Sequence, residues 1–251
     1  MRKKVAIIDP LGAHGSSHHF YLFGQLYGLS NNDVNVRIYT NCITEDPQID
    51  GVKFYQTFGD LFSSKLIFIS GLKYILGSCM SIFHARLSRV EVFHFHIFYT
   101  NILVLFNFLL VRILFGRVVV TVHDVTSFAN NDKSTLMAIL VYKLSDLILT
   151  HNQFCKNEII KIEASLKERV CIIPHVNYTH FINIQQNKKK SRDHLGLPID
   201  KTILLFFGMI KKVKGLDVLL QSFRKVVDEN PNTVLLIAGK VWEDDFTVYQ
   251  Q

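Results

Sequence analysis

A lysine-rich loop, residues 211–214, lies between an apolar run and Gly215. The run Ile203–Phe207 is typical of a strand covered on both faces in a parallel sheet, and a helix is expected to begin at Gly215. The first N–H groups and positive dipole end of such a helix, together with lysine ammonium groups, form a site that binds phosphate. Lysine runs are also common on solvated surfaces, so the sequence alone leaves both interpretations open.

Two histidines, His94 and His96, stand two residues apart in the apolar run Val92–Ile97. Side chains two apart on a strand point to the same face of the sheet. A metal site would need further ligands at a similar depth, and the sequence identifies none, so no metal is expected. We expect these imidazoles to line a cleft or to be held in place by hydrogen bonds.

His123 and Asp124 terminate another apolar run, Arg117–Val122. Packing gives no reason for a His-Asp pair at the end of a buried strand. A neutral imidazole in this position can donate to or accept from a sugar hydroxyl, so both residues are candidate catalytic groups. The alternative is a structural histidine bonded to a loop carbonyl.

The first predicted strand, Val5–Ile8, leads into a loop with glycines at 12 and 15. Gly15 allows a ligand to approach the backbone closely, and Ser16 can cap the next helix or line a cleft. The loop lacks the G-x-G-x-x-G pattern, which argues against a nicotinamide- or flavin-dependent oxidoreductase. A purely structural turn is the alternative.

Strand and helix patterns alternate along the chain and predict parallel β-α-β units in a doubly wound sheet. Strands are predicted at 5–8, 34–39, 52–55, 92–97, 117–122, 147–150 and 170–173, and helices at 17–29, 61–89, 102–115, 133–144 and 152–162. A polar, lysine-rich segment, 185–200, is the predicted linker. It would separate a complete Rossmann-like domain, 1–184, from the first β-α-β unit of a second domain, 201–251.

The composition limits the partners and the compartment. The net charge of +7 suggests an acidic partner, such as a phosphorylated metabolite or an anionic lipid. Nucleic acid is excluded because the aromatic residues lie in apolar runs rather than between basic residues. The four cysteines are widely spaced without C-x-x-C, which indicates reduced thiols in the cytosol. The apolar run near the N-terminus is too short for a signal peptide.

Two apolar segments raise the question of membrane contact. Ile102–Phe115 is shorter than a membrane span and is interrupted by Asn107 and Arg112, which favours a buried helix between two strands. Leu61–Arg89 mixes apolar and basic residues and carries little acid. It either lies on an anionic membrane surface or forms an ordinary core-facing helix pair.

The order and spacing of several motifs resemble family 4 glycosyltransferases, which have the GT-B fold. The motifs are the glycine loop, HFH at 94–96, TVHD at 121–124, LTHNQ at 149–153, IPHVNY at 173–178, and FFGMIKKVKGLDVLLQSF at 206–223 followed by LLIAGK. The resemblance covers essentially the whole chain. It implies two Rossmann-like domains facing each other across a cleft, the first binding an acceptor and the second a nucleotide-activated sugar.

The resemblance also implies roles for individual residues. Lys214 matches a lysine that contacts the donor phosphates, and Lys211 and Gly15 are expected to assist it. His123 matches a histidine that contacts the transferred sugar. The family often places an arginine where this chain has Met209, so Lys211 follows a variant of the pattern. Transfer would retain the anomeric configuration and need no metal or other cofactor, because cations and N–H groups stabilise the leaving diphosphate.

One departure from the family concerns two glutamates that hold the sugar and the ribose of the donor. The chain ends before that region, so we expect its transfer activity to be absent or impaired. The implied context is surface-polysaccharide assembly on a lipid-linked acceptor, in the cytoplasm or peripherally at the inner face of the cell membrane. The alternative from another class is a non-catalytic, membrane-associated binding or scaffolding protein derived from the acceptor domain.

Overall fold

The computed structural model describes residues 3–14, 18–61, 63, 66–125, 135–177, 181, 187–241 and 249. The chain divides into two compact units, Met1–Ile182 and Asn183–Gln251. The predicted linker, 185–200, falls in the second unit, and it contains a helix, Lys188–His194. The side chain of Asn187 accepts the N–H groups of Lys189 and Lys190 and thereby caps this helix.

The first unit contains a seven-stranded parallel sheet. Its elements are β1 Lys4–Asp9, α1 His18–Ser30, β2 Asn35–Asn41, β3 Val52–Phe58, α2 Ile67–Leu87, β4 Val92–Ile97, α3 Ile102–Ile113, β5 Arg117–Val122, α4 Thr135–Lys143, β6 Leu147–Thr150, α5 Gln153–Ile162 and β7 Val170–Ile172. The strand order is β3-β2-β1-β4-β5-β6-β7, and every pair is parallel. The predicted doubly wound α/β fold is confirmed.

Apolar side chains cover both faces of this sheet. Along β1, Ile7 packs in one buried cluster with Leu22 and Leu26 of α1, whereas Ala6 and Ile8 belong to the cluster on the opposite face. This alternation follows from the two-residue period of a strand. The sheet is therefore covered by apolar side chains on both faces, and polar side chains such as Asp9 lie at the ends of its strands.

Helix α3 is less buried than predicted, and α2 also exposes large apolar side chains. Among the described residues of segment 61–89 there is one long helix, Ile67–Leu87, rather than a helix pair, and it buries a narrow face, including Gly77, Ile82 and Ala85. The interpretation of α3 as a buried helix is wrong for one of its faces. Phe108 is fully buried, but Ile113 is 70% exposed, because only one side of α3 meets the sheet and its neighbours.

The second unit contains a two-stranded parallel sheet. Its elements are α6 Lys188–His194, β8 Thr202–Phe207, a 3-10 turn at Lys212–Lys214, α7 Leu216–Glu229 and β9 Thr233–Ala238. The predicted order of strand, loop, helix and strand is confirmed. The expectation that β8 is covered on both faces is wrong here: Phe207 is 83% exposed. Among the described residues, β9 is the only strand that pairs with β8.

Two glycines of α2 form a matched pair that tests its packing on β3. A Cβ atom at Gly77 would lie 2.4 Å from a ring carbon of buried Phe58, whereas one at Gly71 meets no neighbouring atom within 4 Å. We expect Gly77→Ala to lower the free energy of unfolding by about 1–3 kcal/mol through overpacking. Gly71→Ala should raise it by up to about 1 kcal/mol through helix propensity. Urea denaturation of both variants checks this, and equal effects would contradict the packing described.

Candidate active site

Six histidines gather at the carboxyl edge of the first sheet. His94 and His96 lie on β4, which pairs with β5 so that His96 stands beside Thr121. Parallel strands end at one edge, and histidines follow β5 and β6 directly. Two further histidines join them: His18, the first residue of α1, and His175, which lies beyond β7. We call this group the histidine cluster: His18, His94, His96, His123, His151 and His175. Each of its rings has its centroid 4.7–5.7 Å from that of another member.

A chain of hydrogen bonds orders part of the cluster. The Gln25 side chain on α1 lies between two histidines, its nitrogen 3.4 Å from Nδ1 of His94 and its oxygen 3.0 Å from Nε2 of His96. A carbonyl oxygen only accepts, so His96 carries its proton on Nε2. Its Nδ1 lone pair then points to Nε2 of His123, 3.2 Å away. By the same reasoning Nε2 of His94 donates to Oγ1 of Thr121, at 2.8 Å.

Burial keeps these imidazoles neutral. It lowers the pKa of His18 and of His94 to about 4 and that of His123 to about 3, and it holds the pKa of His96 well below its usual value. Neighbouring histidines lower the pKa of His96 and of His123 further, because a nearby positive charge disfavours protonation. At neutral pH these residues therefore offer lone pairs and N–H groups rather than positive charge.

Asp9, the last residue of β1, is buried beside the cluster. One carboxylate oxygen accepts the N–H of Gly12 at 2.9 Å, and the other lies 3.8 Å from Nε2 of His18. Burial raises the pKa of this carboxyl to about 7, although the N–H groups of Gly12 and Leu11 act to lower it. Gly12 has φ of +49°, and a Cβ atom there would lie 2.0 Å from Oγ1 of Thr44, so glycine is required to close this turn.

The structure brings together some of the predicted site residues. His94, His96 and His123 lie in the cluster, and the stacked rings of the first two confirm their predicted shared face. Asp124 is exposed, and among the described residues no hydrogen bond or ion pair joins it to the cluster. Gly15 and Ser16 lie outside the described residues.

The lysine loop of the second unit leads directly into α7. Lys211 precedes the 3-10 turn, Lys214 is exposed at its end, and Gly215 joins the turn to the helix with φ of +65°. No side chain caps α7 at Gly215. The N–H groups of its first turn therefore carry the partial positive charge that attracts anions. Asp217 in the same turn reduces that charge locally.

An apolar cavity adjoins the cluster in the first unit. Its volume is about 480 Å³, within the range of small-molecule sites. Ile67 and Tyr74 of α2 and Val104 of α3 form apolar walls, while Asp9 and His96 supply polar atoms at one side. This arrangement can accommodate an apolar group whose polar end meets the histidine cluster.

Sequence reasoning missed Gln25, His18 and His151 as parts of this site. Like His123, His151 directly follows a strand of the sheet. A histidine at the end of two successive strands could have indicated that both belong to one site. His18 and Gln25 come from α1, which is apolar around much of its circumference. The sequence pattern therefore did not reveal which face of α1 meets the sheet.

Comparisons of sequence confirm the resemblance to glycosyltransferases. Residues 187–250 match the sequence model of a family described as "Glycosyl transferases group 1". An uncharacterized glycosyltransferase of Methanocaldococcus jannaschii is 28% identical over 98 residues, which cover 39% of this chain and 24% of that relative. The matched segments thus span a quarter or less of the curated relatives' lengths.

Comparisons of structure show the fold. HepE from Anabaena, solved in complex with UDP and glucose, aligns with a TM-score of 0.68 at 11% identity, over 99% of this chain and 64% of its own. A protein described as a UDP-N-acetylglucosamine 2-epimerase from Listeria monocytogenes aligns with a TM-score of 0.62 at 9% identity, over 99% of this chain and 71% of its own. The chain has the α/β fold that GT-B glycosyltransferases share with these epimerases.

Two buried threonines on neighbouring strands test the hydrogen-bond chain. Thr121 accepts from His94, whereas Oγ1 of Thr150 has no hydrogen-bond partner among the described residues. Thr121→Val should lower the free energy of unfolding by about 1–3 kcal/mol, because it leaves a buried N–H of His94 unsatisfied. Thr150→Val should be neutral or stabilising. Chemical denaturation measures both, and a neutral Thr121→Val would contradict the assigned bond.

Proposed function

We propose that the protein is a glycosyltransferase that moves a sugar from a nucleotide-sugar donor to an acceptor with retention of anomeric configuration. The observation that carries this proposal is the match of residues 187–250 to group 1 glycosyltransferases. The same segment contains Lys214 at the start of an uncapped helix. The UDP and glucose bound to HepE support a nucleotide-sugar donor.

On the donor side, the leaving group of such a reaction is a nucleoside diphosphate that gains negative charge in the transition state. Lys214, assisted by Lys211 and the first-turn N–H groups of α7, would stabilise that charge. The family resemblance also assigns Gly15 of the first loop to binding of the donor phosphates. These groups supply positive charge without a metal ion, so no cofactor is proposed for transfer.

On the sugar and acceptor side, the histidine cluster supplies neutral hydrogen-bonding groups. His123 would contact a hydroxyl of the transferred sugar, in keeping with its burial-lowered pKa. His94 and His96 would line the acceptor cleft together with Ser16. We place the lipid-proximal part of the acceptor in the apolar cavity, whose polar side includes Asp9 and His96.

The acceptor is proposed to be lipid-linked because the surface around α2 and α3 suits an anionic membrane. Between Leu61 and Arg117 the chain has six lysines and arginines and one acidic residue, Glu91. Large apolar side chains of both helices are exposed, among them Phe68 of α2 and Ile113 of α3. Helix α2 has the length and composition of a membrane span, but it packs one face on the sheet. We therefore propose peripheral binding at the cytoplasmic face, in surface-polysaccharide assembly.

UDP binding tests the donor side without requiring turnover. Lys214→Ala should weaken UDP affinity about tenfold in calorimetry, because it removes one charge-assisted contact to a phosphate. Lys225→Ala, which removes the same charge from an exposed position in the middle of α7, is the matched control and should leave the affinity unchanged.

Equal affinities for the two variants would contradict the role of Lys214. Transfer itself is assayed with labelled nucleotide sugars and bacterial lipid extract, and NMR of the product should show the donor's anomeric configuration. Conversion of the donor to its epimer without any acceptor would instead assign the chain to the epimerase class that shares its fold.

Vesicle co-sedimentation tests the membrane surface. Phe68→Glu on α2 should reduce binding to phosphatidylglycerol vesicles about tenfold or more, because a buried phenyl ring contributes about 1.5–3 kcal/mol. Phe207→Glu in the second unit is the control, since both rings are more than 80% exposed. Equal losses for both variants, or no preference for anionic over neutral vesicles, would contradict this surface. Vesicle binding without UDP binding or transfer would favour the non-catalytic binding protein.

A further inference from the structure

Three imidazoles from three separate elements converge at the end of the first sheet. His18 begins α1, His96 lies on β4, and His123 follows β5. One ring nitrogen from each lies within 4.8 Å of the others, and their ring centroids are 5.2–5.7 Å apart. We propose that these three histidines bind a divalent transition-metal ion of the zinc class.

The spacing of the nitrogens is close to that of a bound metal. A tetrahedral ion with metal–nitrogen bonds of about 2.05 Å holds its ligand nitrogens about 3.3 Å apart. Nδ1 of His96 and Nε2 of His123 are already 3.2 Å apart. The third nitrogen, on His18, lies at most 4.8 Å from the other two, so metal binding requires it to move closer by up to about 1.5 Å.

The partners of His96 prepare it for this role. Because Gln25 accepts the Nε2 proton, the Nδ1 lone pair of His96 points toward His123 and the metal position. Metal-bound histidines in proteins commonly donate their other ring N–H to such an acceptor, which fixes the tautomer and the ring orientation. Gln25 is in turn oriented by its hydrogen bond to Nδ1 of His94. His94 is itself held by its hydrogen bond to Thr121 of β5.

The charges around the three rings also favour a cation. Neutral imidazoles are the ligands that zinc, copper, nickel and cobalt ions prefer, and burial keeps these three neutral. The buried carboxylate of Asp9 lies 3.8 Å from His18, and no lysine or arginine pairs with it among the described residues. Because burial raises the pKa of Asp9 to about 7, a dication held by three neutral ligands would favour the charged form of this carboxyl.

The metal proposal does not rest on the transfer reaction proposed above, although the two share His123. A metal on Nε2 of His123 would occupy an atom that a sugar hydroxyl could otherwise contact. Binding would also tie α1 to β4 and to the end of β5, so it should raise the melting temperature. The rise in melting temperature is measurable without a sugar donor or an acceptor.

The experiment uses the untagged 251-residue chain, stripped with a chelator and titrated with Zn²⁺ in a calorimeter. We expect one equivalent to bind and the melting temperature to rise. Co²⁺ in place of Zn²⁺ should give visible d–d bands without a thiolate charge-transfer band, because the ligands are imidazoles. Thiolate bands would assign the metal to the cysteines and overturn the proposal.

Variants identify the ligands. His18→Ala and His123→Gln should each weaken Zn²⁺ binding by more than about 100-fold, and Gln25→Met, which removes only the orienting acceptor, by about 10- to 100-fold. His194→Ala, an exposed histidine of α6, is the control and should bind like the parent chain. Far-UV circular dichroism of the metal-free proteins checks the fold. Unchanged affinity in folded His18→Ala and His123→Gln, or no stoichiometric binding by the parent, would overturn the proposal.

Discussion

The parallel, in-register pairing of β1, β4, β5 and β6 is the constraint on which the rest of the site depends. Because these strands run in one direction, their carboxyl ends lie along one edge of the sheet. The polar residues that follow the strands therefore lie close together. Asp9, His96, His123 and His151 reach this edge from four different strands. The apolar clusters on both faces of the sheet hold that edge in place. The histidine cluster is therefore positioned mainly by the strands on which its residues lie or which they directly follow.

Burial determines the chemistry available at this edge. Transfer of an imidazole from water into the protein interior disfavours its charged form. The neutral ring then needs hydrogen bonds to its N–H group and to its lone pair. Thr121 and Gln25 provide those bonds to His94 and His96 and select one tautomer of each ring. The outcome is a set of uncharged donors and acceptors of fixed direction. Such a set suits a sugar hydroxyl and also suits a metal ion, so one arrangement supports both proposals.

Much of the fold could be predicted from the sequence because its signals are local. The strands at Val92–Ile97, Arg117–Val122 and Leu147–Thr150 have the predicted bounds. For Arg117–Val122 the reason is that a continuous apolar run, typical of a parallel sheet, ends at the polar His123. The shared face of His94 and His96 follows from strand geometry alone. His123 was identified because a polar residue at the end of a buried strand has no packing role.

The remainder of the site depends on tertiary packing. His18 and Gln25 come from a helix whose apolar residues cover much of its surface, so its rotation against the sheet is not encoded in its own pattern. The exposed faces of α3 and β8 were missed for a related reason, which also left the position of α2 undecided. An apolar run predicts a helix or a strand, but what covers each face depends on elements distant in sequence.

The site depends on the hydrogen-bonded arrangement of Gln25, His96 and His123. Nitrogen NMR of the histidine rings in metal-free protein tests this arrangement most directly. At neutral pH, long-range correlations between ring nitrogens and carbons should identify His96 as the neutral tautomer protonated on Nε2. Replacing Gln25 with leucine should change the nitrogen shifts of His96. A His96 ring protonated on Nδ1, or a positively charged ring, would contradict the account.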